Sequence, residues 1–196
     1  MDRSLEQELS LLSTLDCAIR LIGCELERII NGKIVRGMIV ETEAYDQSDI
    51  VSHSYRGITP RNYVMFGPAG RAYVYFTYGM HYCFNVVVGT VNDGSAVLIR
   101  ALEPIEGISI MEINRNTRNK FNLLSGPAKL CQALAIDKNM NGHNLTKPPL
   151  RLIIKKSIDK KLIGRSARIG VHEPKDNALL FRVFLKDSKY LSGTVN

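Results

Sequence analysis

The chain has 196 residues, enough for one well-buried core and too few for two full-sized domains. A hydrophobic fraction of 45% and a charged fraction of 23% exclude an intrinsically disordered protein. The 26 lysines and arginines outnumber the 19 acidic residues, and the net charge of +7 favours a polyanionic partner such as nucleic acid, with a membrane surface or an acidic protein as alternatives.

The first 45 residues predict a helix followed by a β-hairpin. Leucines recur every three or four positions between residues 4 and 15, as on one face of an amphipathic helix. Residues 16–26 fit either a second helix or a strand. The Asn31-Gly32 pair between two apolar runs predicts a tight hairpin turn, because both residues tolerate a positive φ. The second strand of this hairpin ends at residues 41–45.

Residues 46–89 predict a long loop and a second hairpin. Five glycines and prolines between residues 46 and 70 indicate an irregular surface loop. Residues 72–77 have a strand pattern that places Tyr73 and Tyr75 on one face. A turn over residues 78–81 and a returning strand over residues 82–89 complete the hairpin.

The rest of the chain predicts further strands and helices. They are a strand over residues 95–102 that closes at Glu103-Pro104, a helix over 105–113, a basic loop over 115–120, a helix over 126–134, and strands over 150–154 and 179–185. Together the elements predict a single α+β domain over residues 1–196 with a mostly antiparallel, hairpin-built sheet.

The N-terminus and the cysteines predict an intracellular protein. The first nine residues are polar and acidic, unlike a secretory or mitochondrial leader. No apolar run approaches the roughly 20 residues that span a bilayer. The four cysteines form no C-x-x-C pair and indicate reduced, buried thiols. We therefore expect neither a signal peptide nor a transmembrane segment.

Two glutamates at the end of the first hairpin are candidates for acid–base chemistry. Glu41 and Glu43 are two residues apart, so on a strand both point to the same face. Paired carboxylates can act as acid and base, or one can orient the other. The alternative is that both are merely solvated at a strand end.

The histidines and glycines form no recognised catalytic motif. His53 lies alone in the long loop, and His81, His143 and His172 are equally isolated, so no metal site is expected. The sequence has no G-x-S-x-G motif, phosphate-binding loop or dinucleotide fingerprint. We therefore expect no metal and no cofactor.

An aromatic cluster over residues 73–82 contains four tyrosines and one phenylalanine. Such residues on strands commonly pack a core, which is one interpretation. However, Tyr78 precedes Gly79 at the predicted hairpin tip, where an exposed ring could act as a wedge between stacked bases. Basic residues along the chain either contact phosphates or are solvated. They are Arg61, Arg71, Arg100, Arg115, Arg118 and Lys120.

Several motifs follow one another along residues 10–185 in the order of a known family. They are Val40-Glu-Thr-Glu-Ala-Tyr45, His53-Ser54, Thr59-Pro-Arg-Asn62, Tyr73-Val-Tyr75, Tyr78-Gly-Met80, Arg100-Ala-Leu-Glu-Pro104, Gly126-Pro-Ala-Lys-Leu-Cys-Gln-Ala-Leu134 and Arg168-Ile-Gly170. In this combination the chain resembles the 3-methyladenine DNA glycosylases of the alkyladenine (AAG/MPG) type. The resemblance implies a curved sheet with surrounding helices and a protruding β-hairpin that inserts into DNA.

The resemblance also implies a hydrolase of base-excision repair. Such an enzyme flips damaged purines of the 3-methyladenine, 7-methylguanine, hypoxanthine and ethenoadenine class out of duplex DNA. It then hydrolyses the N-glycosidic bond and leaves an abasic site. Glu43 is implied to activate the attacking water, which Arg100 and the backbone of His53 help to hold. No lysine stands beside Glu43, so no lyase step is expected.

Further roles follow from the same resemblance. Tyr45 on one side, with His53 and Tyr75 on the other, would sandwich the flipped base above Asn85 at the pocket floor. Tyr78 would fill the gap left in the base stack. Contacts with the DNA backbone are assigned to Thr59, Arg61, Arg71 and Lys129. The implied partner is double-stranded DNA with a damaged purine, bound inside the cell by a monomer that uses no cofactor and no membrane.

The chain departs from the mammalian members at two places. The spacing from Tyr45 to His53 is one residue shorter, and the hairpin tip reads Tyr-Gly-Met-His-Tyr, which places His81 near the DNA. Both differences affect pocket width and lesion range. The alternatives are a non-catalytic damaged-DNA-binding module of the same fold and a nucleoside hydrolase. A carboxylate facing a polyanion argues against the module, and a hairpin wedge argues against the nucleoside hydrolase.

Overall fold

The computed structural model describes residues 4–171 and 179–193, which form an α+β fold around one curled antiparallel sheet. Within these ranges the helices are Leu5–Ser10 (α1), Thr14–Leu21 (α2), Ile108–Arg115 (α3) and Pro127–Ala133 (α4). The strands are Glu25–Ile30 (β1), Lys33–Tyr45 (β2), Ala72–Thr77 (β3), His81–Val88 (β4), Ser95–Glu106 (β5), Leu150–Ile153 (β6), Ile163–Ser166 (β7) and Arg182–Leu185 (β8). Short 3-10 turns cover Tyr63–Phe66, Lys120–Asn122, Lys138–Met140 and Lys160–Leu162. The predicted fold class is confirmed.

The single N-terminal helix predicted from the leucine spacing is in fact two helices. Ser4 caps α1 through a capping box, and Ser13 caps α2 by accepting a hydrogen bond from the Asp16 backbone N–H. The second cap starts a new helix, so the chain unwinds between α1 and α2. The segment predicted as either helix or strand contains both, since α2 ends at Leu21 and β1 begins at Glu25.

The Asn31-Gly32 turn joins β1 to β2 as predicted. Both residues adopt left-handed backbone conformations, with φ of 49° and 75°. The pairing runs from Glu25 opposite Met38 to Ile30 opposite Lys33. The sheet order is β3-β4-β5-β2-β1-β6, and the β7–β8 pair joins it through β2.

β2 is the central strand because three other strands pair with it. β5 follows one edge of β2 along its length. On the other edge, β1 pairs with the first half of β2, and β8 pairs with residues 41–43. Since residues 41–43 have hydrogen-bonded strands on both sides, Glu41 and Glu43 are 0% exposed. The alternative of two solvated glutamates is wrong.

A shift of register between β2 and β5 turns Arg100 toward these glutamates. Glu41 pairs with Ala101, and the next residue, Thr42, pairs with Ile99, so Arg100 has no partner in the β2 ladder. An extra residue of this kind is a β-bulge, which bends its strand and redirects a side chain. The bulge therefore delivers the Arg100 guanidinium to the face that carries both carboxylates.

The aromatic hairpin consists of β3 and β4, paired from Ala72 opposite Val86 to Thr77 opposite His81. The tip is exposed, as predicted, and Tyr78 has 85% of its surface accessible. Tyr78 itself has a φ of 51°, in the left-handed region. A bulky residue seldom adopts this conformation, and such strain is commonly found at functional sites.

Three boundaries predicted in the second half of the chain are wrong. β5 continues through Pro104 to residue 106, and α3 starts at Ile108 instead of residue 105. The proline is tolerated because it lies next to a register shift, where a strand can dispense with a donor. The final strand begins at Arg182 instead of residue 179, and the four-residue β7 was not predicted.

Two apolar clusters lie on opposite faces of the sheet. The larger one packs α1, α2 and α4 against the sheet and includes Val74. The smaller one contains Tyr73, with Tyr75 packed against it, and the turn over Tyr63–Phe66. The period of two along β3 separates the tyrosines from Val74. No helix within residues 4–171 and 179–193 combines the length and apolar character needed to cross a membrane.

Candidate active site

Three donors from three parts of the chain hold the Glu43 carboxylate. Its Oε2 accepts hydrogen bonds from Arg100 Nη1 and from the Tyr45 hydroxyl, both at 3.0 Å. Its Oε1 accepts one from the Ile169 backbone N–H at 2.7 Å. Among the described residues, no second donor contacts Oε1.

Burial and charge pairing give Glu43 and Arg100 unusual acid–base properties. Burial raises the pKa of Glu43, and the contacts with Arg100, Ile169 and Tyr45 offset this effect only in part. Burial alone would lower the pKa of Arg100, but the charges of Glu43 and Glu41 raise it. The site therefore joins a permanent cation to a carboxylate of increased proton affinity, which suits a general base.

The second buried carboxylate orients Arg100. Glu41 Oε1 accepts hydrogen bonds from Arg100 Nε at 3.1 Å and from Arg182 Nε at 2.7 Å. The Ser192 backbone N–H donates to Glu41 Oε2 at 2.5 Å, and the Ser192 hydroxyl donates to Oε1 at 2.9 Å. Two arginines thus neutralise two glutamates, and Glu41 fixes the guanidinium that contacts Glu43.

A cavity of about 110 Å³ adjoins this network at Tyr45. It is lined by Tyr45, Val51, His53, Met65, Tyr73, Tyr75, Asn85 and Val171. The structure therefore brings all four residues predicted for the base pocket to one cavity. Glu43 and Arg100 are not part of its lining. They are connected to it through the Tyr45 hydroxyl, because the Tyr45 ring forms part of the cavity wall.

Hydrogen bonds and ring contacts fix the part of the cavity wall that His53, Tyr73, Tyr75 and Asn85 form. The Tyr73 hydroxyl lies 3.0 Å from His53 Nδ1, and the His53 and Tyr75 rings meet edge to face with centroids 4.6 Å apart. Asn85 Nδ2 donates to the Tyr73 carbonyl at 3.0 Å. Partial burial and the charge of Arg61 lower the pKa of His53, so its ring is neutral near pH 7. The wall is aromatic and uncharged.

The loop that carries His53 is held by one asparagine. Asn62 Nδ2 donates to the His53 carbonyl at 2.7 Å and to the Gly57 carbonyl at 3.0 Å. Asn62 Oδ1 accepts from the Thr59 backbone N–H at 2.6 Å. These bonds keep His53 at the cavity. The role of the His53 backbone in holding a water stays a prediction.

Three of the five predicted DNA-contacting residues lie at the hairpin tip or on the loop that carries Arg61. Tyr78 is at the exposed tip, and the exposed Arg61 has its guanidinium carbon 5.4 Å from the Tyr75 ring centroid. Thr59 is exposed on the same loop as Arg61. Their contacts with DNA remain predictions.

The other two predicted DNA contacts are Arg71 and Lys129. Arg71 immediately precedes β3, at the end of that strand opposite to the tip, and it forms a bridge with Asn144. Lys129 lies in α4, where its Nζ contacts Asn122 Oδ1. Within the described ranges, no group of three or more His, Cys, Asp or Glu side chains is arranged to hold a metal ion. His172 lies outside these ranges.

Sequence reasoning missed several residues that build the site. Tyr73 and Tyr75 lie on the same face of β3, and this spacing of two residues was a usable signal that Tyr73 lines the cavity. The Arg168-Ile-Gly170 motif was the signal for the contact of Ile169 with Glu43. Arg182 and Ser192 had no local signal, because their partner Glu41 is about 150 positions away in the chain.

The chain is similar to known proteins over most of its length. The family described as methylpurine-DNA glycosylase (MPG) matches residues 9–189. A protein of Carboxydothermus hydrogenoformans named "Putative 3-methyladenine DNA glycosylase" is 53% identical over 173 residues, which cover 88% of this chain and 90% of the relative. Proteins of the same name from Francisella tularensis subsp. tularensis and Methanoculleus marisnigri are 46% and 44% identical, over 92% and 91% of this chain and 94% and 93% of the relatives. The chain therefore belongs to the methylpurine-DNA glycosylase family.

Proposed function

We propose that the protein is a DNA glycosylase that flips damaged purines out of double-stranded DNA and hydrolyses their N-glycosidic bonds. The observation that carries the proposal is the buried Glu43–Arg100 pair, joined through the Tyr45 hydroxyl to an aromatic cavity. Family membership and the net charge of +7 both support a DNA substrate. The proposed lesions are 3-methyladenine, 7-methylguanine, hypoxanthine and ethenoadenine.

In the proposed reaction, Glu43 takes a proton from a water while the water oxygen attacks C1′ of the flipped nucleotide. The bond between C1′ and the base nitrogen breaks, and its electron pair leaves with the base. The sugar passes through an oxocarbenium-like state, which a nearby carboxylate stabilises. Because Arg100 occupies Oε2, the water would bind to Oε1. The products are a free base and an abasic site.

The aromatic cavity would recognise the flipped base by stacking. Tyr45 would cover one face of the base, and His53 and Tyr75 the other. A purine alkylated at N3 or N7 is cationic, so it is attracted to aromatic faces and leaves without further protonation. Flipping costs a few kcal/mol and costs least for weakly paired lesions, which favours damaged bases. Asn85 would contact the base edge and disfavour a purine 2-amino group.

We expect the DNA strand to stay intact during base release. Strand cleavage by a lyase step requires an amine nucleophile that forms a Schiff base. No lysine is found among the described residues that line the cavity. We therefore propose a monofunctional enzyme.

The proposal is tested by single-turnover base release in the presence of EDTA. The substrates are duplexes that carry one hypoxanthine, ethenoadenine or 7-methylguanine. We expect release of at least one base, with the abasic strand remaining intact until alkali is added. Tight lesion binding by the wild-type protein without release would support the non-catalytic binding module instead.

The Glu43→Gln variant tests the role of the carboxylate. It should bind lesion duplex as wild type does and lose base release by about 100-fold or more, because a positioned general base contributes roughly 10²–10⁴-fold. The matched control is Glu6→Gln at an exposed position of α1, which should release base at the wild-type rate. Near-normal release by Glu43→Gln would show that another group activates the water.

A further inference from the structure

A buried arginine lies against the ring that would stack on the flipped base. The Arg168 guanidinium carbon is 4.5 Å from the Tyr45 ring centroid and 5.3 Å from that of Phe181. Arg168 is 5% exposed. Tyr45 lines the cavity, whereas Arg168 is not among the described lining residues. A buried guanidinium at this distance fills the space over one face of the Tyr45 ring, so a stacked base can use only the other face.

The guanidinium is fixed in this position. Arg168 Nη1 donates to the Ala44 carbonyl at 2.9 Å and forms an ion pair with Asp49 Oδ2 at 2.5 Å. Asp49 is 8% exposed. These contacts connect the loop after β7 to the start of the long loop after β2. They hold a permanent positive charge against one face of Tyr45.

A cation on one face of a tyrosine ring draws π-electron density toward itself. The opposite face then becomes less negative and attracts a second cation less strongly. Damaged purines differ in charge: 3-methyladenine and 7-methylguanine are cationic in DNA, whereas hypoxanthine and ethenoadenine are neutral. Stacking of a neutral base depends little on the ring quadrupole. The effect of Arg168 should therefore fall mainly on cationic bases.

We propose that Arg168 is a specificity-determining residue that lowers the preference of Tyr45 for cationic bases and so lets neutral damaged purines compete for the pocket. Arg168 acts through Tyr45 and is not a catalytic residue. The inference rests on the proposed function, since it takes Tyr45 as the stacking surface for a flipped base. The Asp49 carboxylate limits the range of the Arg168 charge, so that Tyr45 at 4.5 Å is affected most.

The test compares the affinity for two lesion duplexes with and without this charge. One duplex carries 7-methylguanine and the other carries hypoxanthine. Fluorescence anisotropy gives both Kd values, with Glu43→Gln as the parent so that no base is released. The quantity followed is the hypoxanthine Kd divided by the 7-methylguanine Kd. This ratio does not depend on catalysis, whereas the proposed function fails if the wild-type protein releases no base.

Arg168→Met combined with Asp49→Asn removes the cation without leaving the Asp49 carboxylate unpaired. The Kd ratio should rise by about 3- to 10-fold in this double variant, within the range of a cation–π contact. Asp49→Asn alone leaves the guanidinium less neutralised and should lower the ratio. Arg168→Lys keeps the charge and should give a ratio within about twofold of the parent.

An unchanged ratio in the double variant would mean that Arg168 only packs against Tyr45, and a lower ratio would overturn the proposal as well. A rise in Arg168→Lys as large as in the double variant would show that charge is not the cause. Circular dichroism establishes that each variant is folded. If the double variant does not fold, the ratio in Asp49→Asn decides, because an unchanged or raised ratio there overturns the proposal.

Discussion

The Glu43 carboxylate connects reactivity to stability at the scale of a single residue. Its position between β5 and β8 removes it from water, and this burial raises its pKa. The same desolvation that increases its proton affinity makes the ionised form unfavourable in the folded protein. A residue that is chemically useful because it is buried and charged therefore destabilises the fold around it.

The pH dependence of unfolding tests whether burial of the ionised Glu43 destabilises the folded protein. Because the pKa of Glu43 is raised in the folded state, the stability from its protonated form is fully present below the pKa of an unfolded glutamate, about 4.3. That stability is lost as the pH rises through the raised, folded-state pKa. Glutamine cannot ionise, so only wild type loses this stability between pH 4 and pH 7. The Tm of Glu43→Gln relative to that of wild type should therefore rise as the pH increases over this range.

Calorimetry across this pH range measures the effect, where 1 kcal/mol corresponds to roughly 2–4 °C in a protein of this size. Glu6→Gln, at an exposed position, serves as the control and should show no such pH-dependent difference. A relative Tm of Glu43→Gln that falls as the pH increases would mean that pairing with Arg100 outweighs the cost of burial.

The β3–β4 hairpin divides its roles between its faces and its tip at the scale of an element. Tyr73 and Tyr75 point to the cavity, while Val74 points to the main core, because side chains alternate along a strand. The tip leaves Tyr78 in a left-handed conformation with most of its ring in solvent. An exposed ring at the tip of a hairpin can enter a base stack.

Tyr78→Ala tests whether the tip acts as a wedge. The variant should bind lesion duplex about 10-fold or more weaker, since base–aromatic stacking contributes roughly 1–3 kcal/mol. Its binding to a single strand with the same lesion should change far less, because no stack has to be filled there. Tyr78→Phe keeps the ring and should resemble wild type in an anisotropy titration. Equal losses on duplex and single strand would contradict the wedge.

The two edges of the sheet give the whole molecule two distinct sides. β3, with the hairpin tip and Arg61 close to it, forms one edge, and β6 forms the other. The positive charge is not confined to either edge, because exposed lysines also follow β6. Net charge alone therefore identifies a polyanionic partner without identifying the surface that binds it.

The salt dependence of DNA binding separates the two edges. Each phosphate contact that is removed should reduce the slope of log K against log salt by about 1. Arg61→Gln should lower the slope by this amount, since Arg61 lies beside the cavity. Lys156→Gln removes the same charge beyond β6 and should leave the slope unchanged. A similar decrease in both variants would indicate a general charge effect instead of a contact at the hairpin edge.

Most features that depend on neighbouring residues were predicted correctly, whereas most features that depend on residues far apart in the chain were not. The Asn31-Gly32 hairpin, the helix after Gly126-Pro127 and the aromatic strand were predicted, because local backbone preferences and side-chain periodicity are written into neighbouring residues. The leucine spacing does not show the break between α1 and α2, because the break arises from the cap that the Ser13 side chain forms. The extension of β5 past Pro104 was missed because the register shift that tolerates a proline depends on its partner β2.

By itself the sequence determined the fold class, the hairpins, the identity of the pocket residues as candidates and, through its ordered motifs, the family. Only the tertiary structure decided that Glu41 and Glu43 are buried, that a bulge turns Arg100 toward them, and that Arg182, Ser192 and Arg168 complete their surroundings. These features join strands far apart in the chain. Burial, charge pairing and pKa depend on distances between such strands, and no local pattern of residues encodes those distances.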